Sequence, residues 1–155
     1  MSIDTHIKFD GVEGESTHVD HKGEVKILSW TWGVSNAPKV SAAGSGKGKA
    51  VPGDFQFIHV YDKASPLLAK KCAQGVHFPT VVVTQRKSGE GQKDFLKITM
   101  KEVFITAVQS SGGDIGESVS MSYGAIDFSY RPQDARGGLG GEVTFGWNVK
   151  TSKIT

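Results

Sequence analysis

The chain has a single cysteine, Cys72, among 155 residues. One thiol excludes an internal disulfide framework and a zinc site built on cysteines. No apolar run approaches the roughly 20 residues that a membrane-spanning helix needs, so no membrane insertion is expected. The opening "MSIDTHIKFDG" shows no cationic segment followed by an apolar core, and a cleaved signal peptide is not expected. Formal charge is nearly balanced, with 18 Lys and Arg against 16 Asp and Glu; a dedicated nucleic-acid binder usually carries a concentrated basic face instead. There is no Gly-x-Ser-x-Gly elbow and no carboxylate pair set in an apolar run that would raise a pKa. These absences leave no catalytic, cofactor-binding or metal-binding residue to assign, and a non-enzymatic protein is expected.

One stretch imitates a nucleotide site. "SAAGSGKGKA" (41–50) is rich in glycine and lysine. A phosphate loop needs a glycine, four residues, then Gly-Lys and a Ser or Thr. Counting back from Gly48-Lys49 reaches Ala43, and Ala50 follows; counting back from Gly46-Lys47 reaches Ser41, and Gly48 follows. The alternating "DFQFIHVYD" comes next, where a phosphate loop would open a helix. The stretch reads as a cationic loop between strands.

What is abundant is glycine, 20 residues, clustered at 88–91, 110–116 and 136–141. Between the clusters apolar residues alternate with the period of half-buried strands. In "EVTFGWNVK", Val143, Phe145, Trp147 and Val149 share one face. "VKILSWTWGV" reads as one strand, with Leu28, Trp30, Trp32 and Val34 facing one way and Val25, Ile27, Ser29 and Thr31 the other. Trp30 and Trp32 are large and apolar, so their face is expected in the core and Ser29 and Thr31 on the opposite surface. Regular strands with glycine turns predict a sandwich or barrel. "DKASPLLAKKCAQG" predicts one helix, with Ser65 as N-cap, Pro66 at the first helical position and Gly75 as the stop. Leu68 and Cys72 form its apolar stripe.

"FLKITMKEVFITAVQSS" changes phase. Leu96, Ile98 and Met100 alternate cleanly with Lys97, Thr99 and Lys101, but from Val103 both faces turn apolar. Either a bulge near Lys101-Glu102 resets the phase, or the second half is covered on both sides, by an inner layer or by a neighbouring subunit. Val103, Ile105 and Ala107 are the subunit-contact candidates on the second option. Among the five histidines, "HVDH" brings His18, Asp20 and His21 close together; with no third ligand placed by the sequence, the segment reads as a solvated loop.

These strands, in order, resemble the haemolysin-coregulated protein (Hcp) family of type VI secretion. The resemblance is carried by "EVKILSWTWGVSN", "YDKASPLLAKKCAQGVHFPTVVVTQRKSG", "FLKITMKEVFITAVQSSGG", "IDFSYRPQ" and "FGWNVKTSKIT", which together span nearly the whole chain. It implies a single domain over 1–155: a compact β-barrel of two antiparallel sheets with one flanking helix at about 65–75, forming six-membered rings that stack into a tube. It further implies export with the tube from the cytoplasm, small effectors held in the lumen, and contacts with a VgrG-type spike protein and a contractile sheath. Ser29 and Thr31 would then face the lumen. The extended loop at about 35–50, with Gly44, Lys47 and Lys49, would reach the next ring. The alternative is a monomeric β-barrel that binds a small ligand.

Overall fold

The computed structural model describes residues 2–41, 44–46, 49–113 and 116–155, of which 39–41 and 44–46 as backbone. Fourteen strands and one helix follow in chain order: β1 (Ile3–Phe9), β2 (Val25–Ile27), β3 (Ser29–Thr31), β4 (Val34–Asn36), β5 (Lys39–Ser41), β6 (Gly44–Gly46), β7 (Ala50–Pro52), β8 (Phe55–His59), α1 (Ser65–Gln74), β9 (His77–Lys87), β10 (Leu96–Gln109), β11 (Glu117–Ser122), β12 (Ala125–Tyr130), β13 (Val143–Asn148) and β14 (Lys153–Ile154).

β10 organises the molecule. Its first half pairs with β12 (Leu96↔Tyr130 to Lys101↔Ala125) and its second half with β11 (Phe104↔Ser122 to Gln109↔Ser118), while β9 runs along its other edge. The change of partner happens at Glu102, whose φ of +50° lies in the left-handed region that side chains seldom adopt. Ile98 and Met100 are buried before it, and Val103 and Ile105 after it. A bulge therefore resets the phase, the first of the two readings of this segment. A second irregularity follows between Ile105 and Ala107.

The result is the expected mainly β fold of antiparallel sheets with one helix, in which ten strands hydrogen-bond into one branched ladder folded over a shared core. One limb runs β10–β11–β8–β3 and another β10–β9–β1–β2. The two limbs meet through the covalent chain: β2 pairs with β1, the chain turns at Leu28, and β3 pairs with β8. No ladder joins β2 to β3 among the described residues, so the sheet is not closed into a barrel by hydrogen bonds, and a corner of the chain links the two limbs there. This corner corrects the single-strand reading of "VKILSWTWGV". Val25 and Ile27 are buried and Leu28 is 61% exposed, the reverse of the expected faces, because the segment belongs to two strands on two limbs.

Aromatic and aliphatic side chains fill the interior. Phe55, Phe57, Phe78, Ile98, Met100 and Met121 are all fully buried. Helix α1 caps one side with Leu68, wholly buried, and the half-buried Cys72 packs on the same core. Its residue before the first turn is Ala64, not Ser65. Ser65 instead accepts a hydrogen bond at Oγ from the Asp62 N–H (3.0 Å), and Asp62 Oδ1 accepts one from the Ala64 N–H (2.9 Å). At the other end Gly75, with φ +66°, adopts the left-handed cap that a glycine permits.

Between β3 and β8 the chain makes a projecting arm. β4 pairs with β7 (Val34↔Pro52 to Asn36↔Ala50) and β5 with β6 (Lys39↔Gly46 to Ser41↔Gly44). The described residues of the expected loop at 35–50 thus form two antiparallel ladders whose backbone groups pair with each other. Gly53 donates its N–H to the Gly33 carbonyl at the root (2.8 Å), and a Cβ at Gly53 would stand 3.0 Å from that oxygen, so the close approach requires glycine.

Candidate functional site

The limb β3–β8–β11 and the second half of β10 present one continuous outer face. Residues directly opposite in an antiparallel ladder point the same way. Ser29 stands opposite Ile58, which stands opposite Ser118; Thr31 stands opposite Gln56, which stands opposite Ser120. Across the next ladder Ser120 meets Ala107, Ser118 meets Gln109 and Ser122 meets Phe104. The face is therefore largely neutral, built of hydroxyl, amide and apolar side chains with one carboxylate, Asp54, which accepts a hydrogen bond from Thr106 Oγ1 at 3.0 Å. Its reverse carries Phe55, Phe57, Val119, Met121 and Ile105 into the core.

Trp30 fixes which side of β3 is which. Its ring stacks on Phe55, with centroids 5.5 Å apart and 14° between planes, and its indole N–H donates to Gln85 Oε1 at 2.9 Å. Ser29 and Thr31, its neighbours on the strand, are exposed on the neutral face. Of the subunit-contact candidates, Val103 (0% exposed) and Ile105 (5%) lie in the chain's own core, because the bulge at Glu102 turns them inward. A side chain already covered by its own subunit has no surface left for a neighbour. Ala107 is exposed and shares the neutral face, as does Phe104. Of the loop residues, Gly44 lies in β6 as backbone and Lys49 is exposed beside β7, while Lys47 falls outside the described residues.

The limb has a free strand edge at each end. β3 pairs with β8 alone. β9 reaches β10 only as far as the pair Phe104↔His77, so Ile105–Gln109 has no strand on that side among the described residues. Gln56, Ser118, Ser120 and Ser122 were not singled out in the sequence reading. Their signal is the polar half of the alternation in "FQFIH" and "ESVSMS", which points to Ser29 and Thr31 only once the register is known.

Within "HVDH" Asp20 is exposed and His18 half-buried, as expected of a solvated loop, but His21 is buried, which corrects the reading at that residue. His21 is 6% exposed. Its Nδ1 lies 2.9 Å from Glu24 Oε2 and its Nε2 3.1 Å from Asp94 Oδ1. Arg86, also buried, donates from Nε to Asp94 (2.7 Å) and from Nη1 to Asp20 (2.9 Å). Burial would raise the Asp94 pKa, but hydrogen bonds from Arg86 and His21 and their charges outweigh it and hold the carboxyl below its usual range. His6 stacks on His21, with centroids 4.8 Å apart, and sits 5.4 Å from His18. Burial, followed by repulsion from His21 and His18, lowers the His6 pKa from 6.5 to about 4. No group of three or more His, Cys, Asp or Glu suited to a metal ion occurs among the described residues. This network clamps the 12–24 segment onto β1 and β9 and is structural.

His59 and Glu117 form a second buried pair, Nε2 to Oε1 at 2.8 Å, with Ser110 donating to the other carboxylate oxygen. They are opposite one another in the β8–β11 ladder. The pair and Ser110 tie the end of β10 to the start of β11.

The chain is thus a folded-over antiparallel β fold with one flanking helix and an arm between β3 and β8. Comparison with known proteins gives the family. Residues 6–130 match the family described as "Type VI secretion system effector, Hcp". The chain is 37% identical to Protein hcp1 of Pseudomonas aeruginosa over 157 aligned positions, covering 97% of each. Among solved structures it resembles a type six secretion system protein (TM-score 0.90, 30% identity, 99% of this chain and 100% of that one). It also resembles Hcp1 from Salmonella typhimurium (TM-score 0.83, 30% identity, 100% of each). The chain belongs to the Hcp family of type VI secretion proteins. No helix among the described residues is long and apolar enough to cross a membrane.

Proposed function

We propose that the chain is the ring subunit of a type VI secretion inner tube, a homohexamer whose stacked rings carry small effectors in their lumen. One observation carries this reading: the limb β3–β8–β11–β10 has a largely neutral, hydroxyl-rich outer face and a free edge at either end. Unpaired edges invite pairing with another chain. Two different edges on one subunit give a head-to-tail contact, which closes into a ring when the rotation permits. With the neutral face turned inward, Ser29, Thr31, Gln56 and the serines of β11 form the lumen wall. Short hydroxyls hold cargo through many weak contacts. Ala107 and Phe104, near the open edge of β10, stand where the next subunit arrives.

The ring is made in the cytoplasm, leaves with the tube, and meets a VgrG-type spike at the tip and the contractile sheath outside. The arm at 35–50 reaches the adjacent ring. The chain works as a conduit and carrier and not as an enzyme. A monomeric barrel holding a ligand inside fits less well, since the interior is occupied by the buried phenylalanines and methionines.

The test compares the two faces of β3. Thr31→Trp narrows the lumen wall and is expected to keep ring mass and melting temperature while reducing effector co-purification. Trp30→Ala removes a core aromatic and is expected to destabilise the subunit by about 3 kcal/mol or more. If Thr31→Trp unfolds the protein and Trp30→Ala leaves its melting temperature unchanged, the two faces are reversed and the lumen assignment fails.

A further inference from the structure

One cavity, of about 470 Å³, lies apart from the neutral face and borders the histidine clamp through His6. Its volume is that of a small-molecule site. It opens where β8 ends, and its wall comes from four parts of the chain. β1 contributes Asp4 and His6, the 12–24 segment Glu15, the corner Leu28, and the residues after β8 Tyr61 and Asp62. Three carboxylates thus face the single ammonium of Lys26, in a chain whose formal charge is +2. His6 adds no positive charge at pH 7, because its pKa is lowered to about 4.

The wall is also short of hydrogen-bond partners. Among the described residues three buried side-chain atoms have none, and two of them belong here. One is Nδ1 of His6, a wall residue only 3% exposed. The other is Nδ1 of His59, which lies wholly buried behind the wall, 3.8 Å from Asp62 Oδ1. Leaving such atoms unpaired is costly, and each marks a missing partner. Burial is also the largest influence on Asp62 and holds its carboxyl above the usual range; a carboxylate short of solvation gains from an incoming cation. The rim, by contrast, is apolar, with Leu28 and Tyr61 both more than half exposed. An aliphatic stem covers that rim, while ammonium ends pair with the carboxylates and offer N–H donors to a neutral imidazole.

We propose that the cavity walled by Asp4, His6, Glu15, Leu28, Tyr61 and Asp62 is a binding site for a small aliphatic diamine. Its two ammonium groups answer carboxylates from separate elements, and its methylene stem lies on Leu28 and Tyr61. A metal ion fits less well. No group of three or more His, Cys, Asp or Glu among the described residues suits one, and a bare ion leaves the apolar rim uncovered. Every wall residue comes from one chain, so the site is independent of the ring reading above, and either can fail alone.

The probe is 1,5-diaminopentane, titrated by calorimetry against the full-length protein at low salt. Saturable binding of one diamine per chain is expected, weakening as ionic strength rises. Asp4→Asn with Glu15→Gln is expected to weaken it by about tenfold, and Tyr61→Ala by roughly threefold. Methyl spectra of the wild type are expected to show the Leu28 and Val60 signals moving with the diamine while Val143, on β13, stays still. Two controls separate the parts of the ligand: 1,5-pentanediol has the stem without the charge, and magnesium chloride has the charge without the stem. Absence of binding, an equal response to either control, or methyl shifts that leave Leu28 and Val60 unmoved overturns the proposal. So does a doubly neutralised variant that binds like wild type. Should that variant lose melting temperature, the wild-type methyl shifts alone decide the matter.

Discussion

Trp32 donates its indole N–H to the hydroxyl of Tyr123 at 2.5 Å, and that hydroxyl donates in turn to the Gly53 carbonyl at 2.7 Å. Two residues 91 positions apart therefore anchor the root of the arm to the sheet, at the point where the chain leaves β3 and returns to β8. Burial raises the Tyr123 pKa above 10, so the hydroxyl keeps its proton throughout the working range. Tyr123→Phe deletes both bonds and leaves a half-buried N–H and a carbonyl short of partners. The expected cost is about 1–2 kcal/mol, with faster amide exchange concentrated at residues 33–53. Unchanged exchange there means the arm is held by something else.

The bulge at Glu102 sorts the contact candidates by what a charge does to them. Ile105→Asp buries an unpaired carboxylate in the subunit core, and the expected outcome is insoluble or unfolded protein, since such a charge costs several kcal/mol. Ala107→Asp places the same charge on the neutral face and is expected to leave the monomer's secondary structure intact while reducing ring mass. Circular dichroism with light scattering separates the two. An Ile105→Asp protein that melts like wild type contradicts the core placement.

Acid acts first on His6. In the folded chain it stays neutral down to about 4, whereas an unfolded histidine takes its proton near 6.5. Between these values the unfolded state binds more protons, so stability falls as pH drops from 6.5 to about 4, by at most roughly 3 kcal/mol. The groups facing His6 are His21, His18, Asp4 and Lys26. The Asp94 contribution has the same direction but is lost lower, as pH passes below the carboxylate's ordinary value. Chemical denaturation at pH 7 and pH 4.5 is expected to show the loss in wild type and a smaller one in His6→Gln. Equal losses in both proteins assign the acid sensitivity elsewhere.

The sequence carried the helix, the strand periods and the change of phase at Lys101–Glu102, because each is a local pattern within a few residues. It did not carry the corner at Leu28. Val25 to Val34 alternates without a break, and only the pairing of β2 with β1 and of β3 with β8 divides it. The burial of His21 was hidden for the same reason, since its partner Asp94 is 73 positions away. Ser29 and Thr31 were legible as the small residues opposite two tryptophans. The serines of β11 joined them only through the intervening ladder with β8. Val103 and Ile105 were legible as apolar, but which layer covers them depends on a backbone turn at Glu102 that the sequence does not mark with glycine.

The central claim, a closed ring built on the free edges of one limb, is tested most directly by the mass of the wild-type protein in solution. Light scattering coupled to size exclusion is expected to return about six times the 16.6 kDa of the chain, independent of dilution over a wide range, as a closed symmetric assembly requires. A particle of one chain's mass, or a ladder of masses that grows with concentration, contradicts the account.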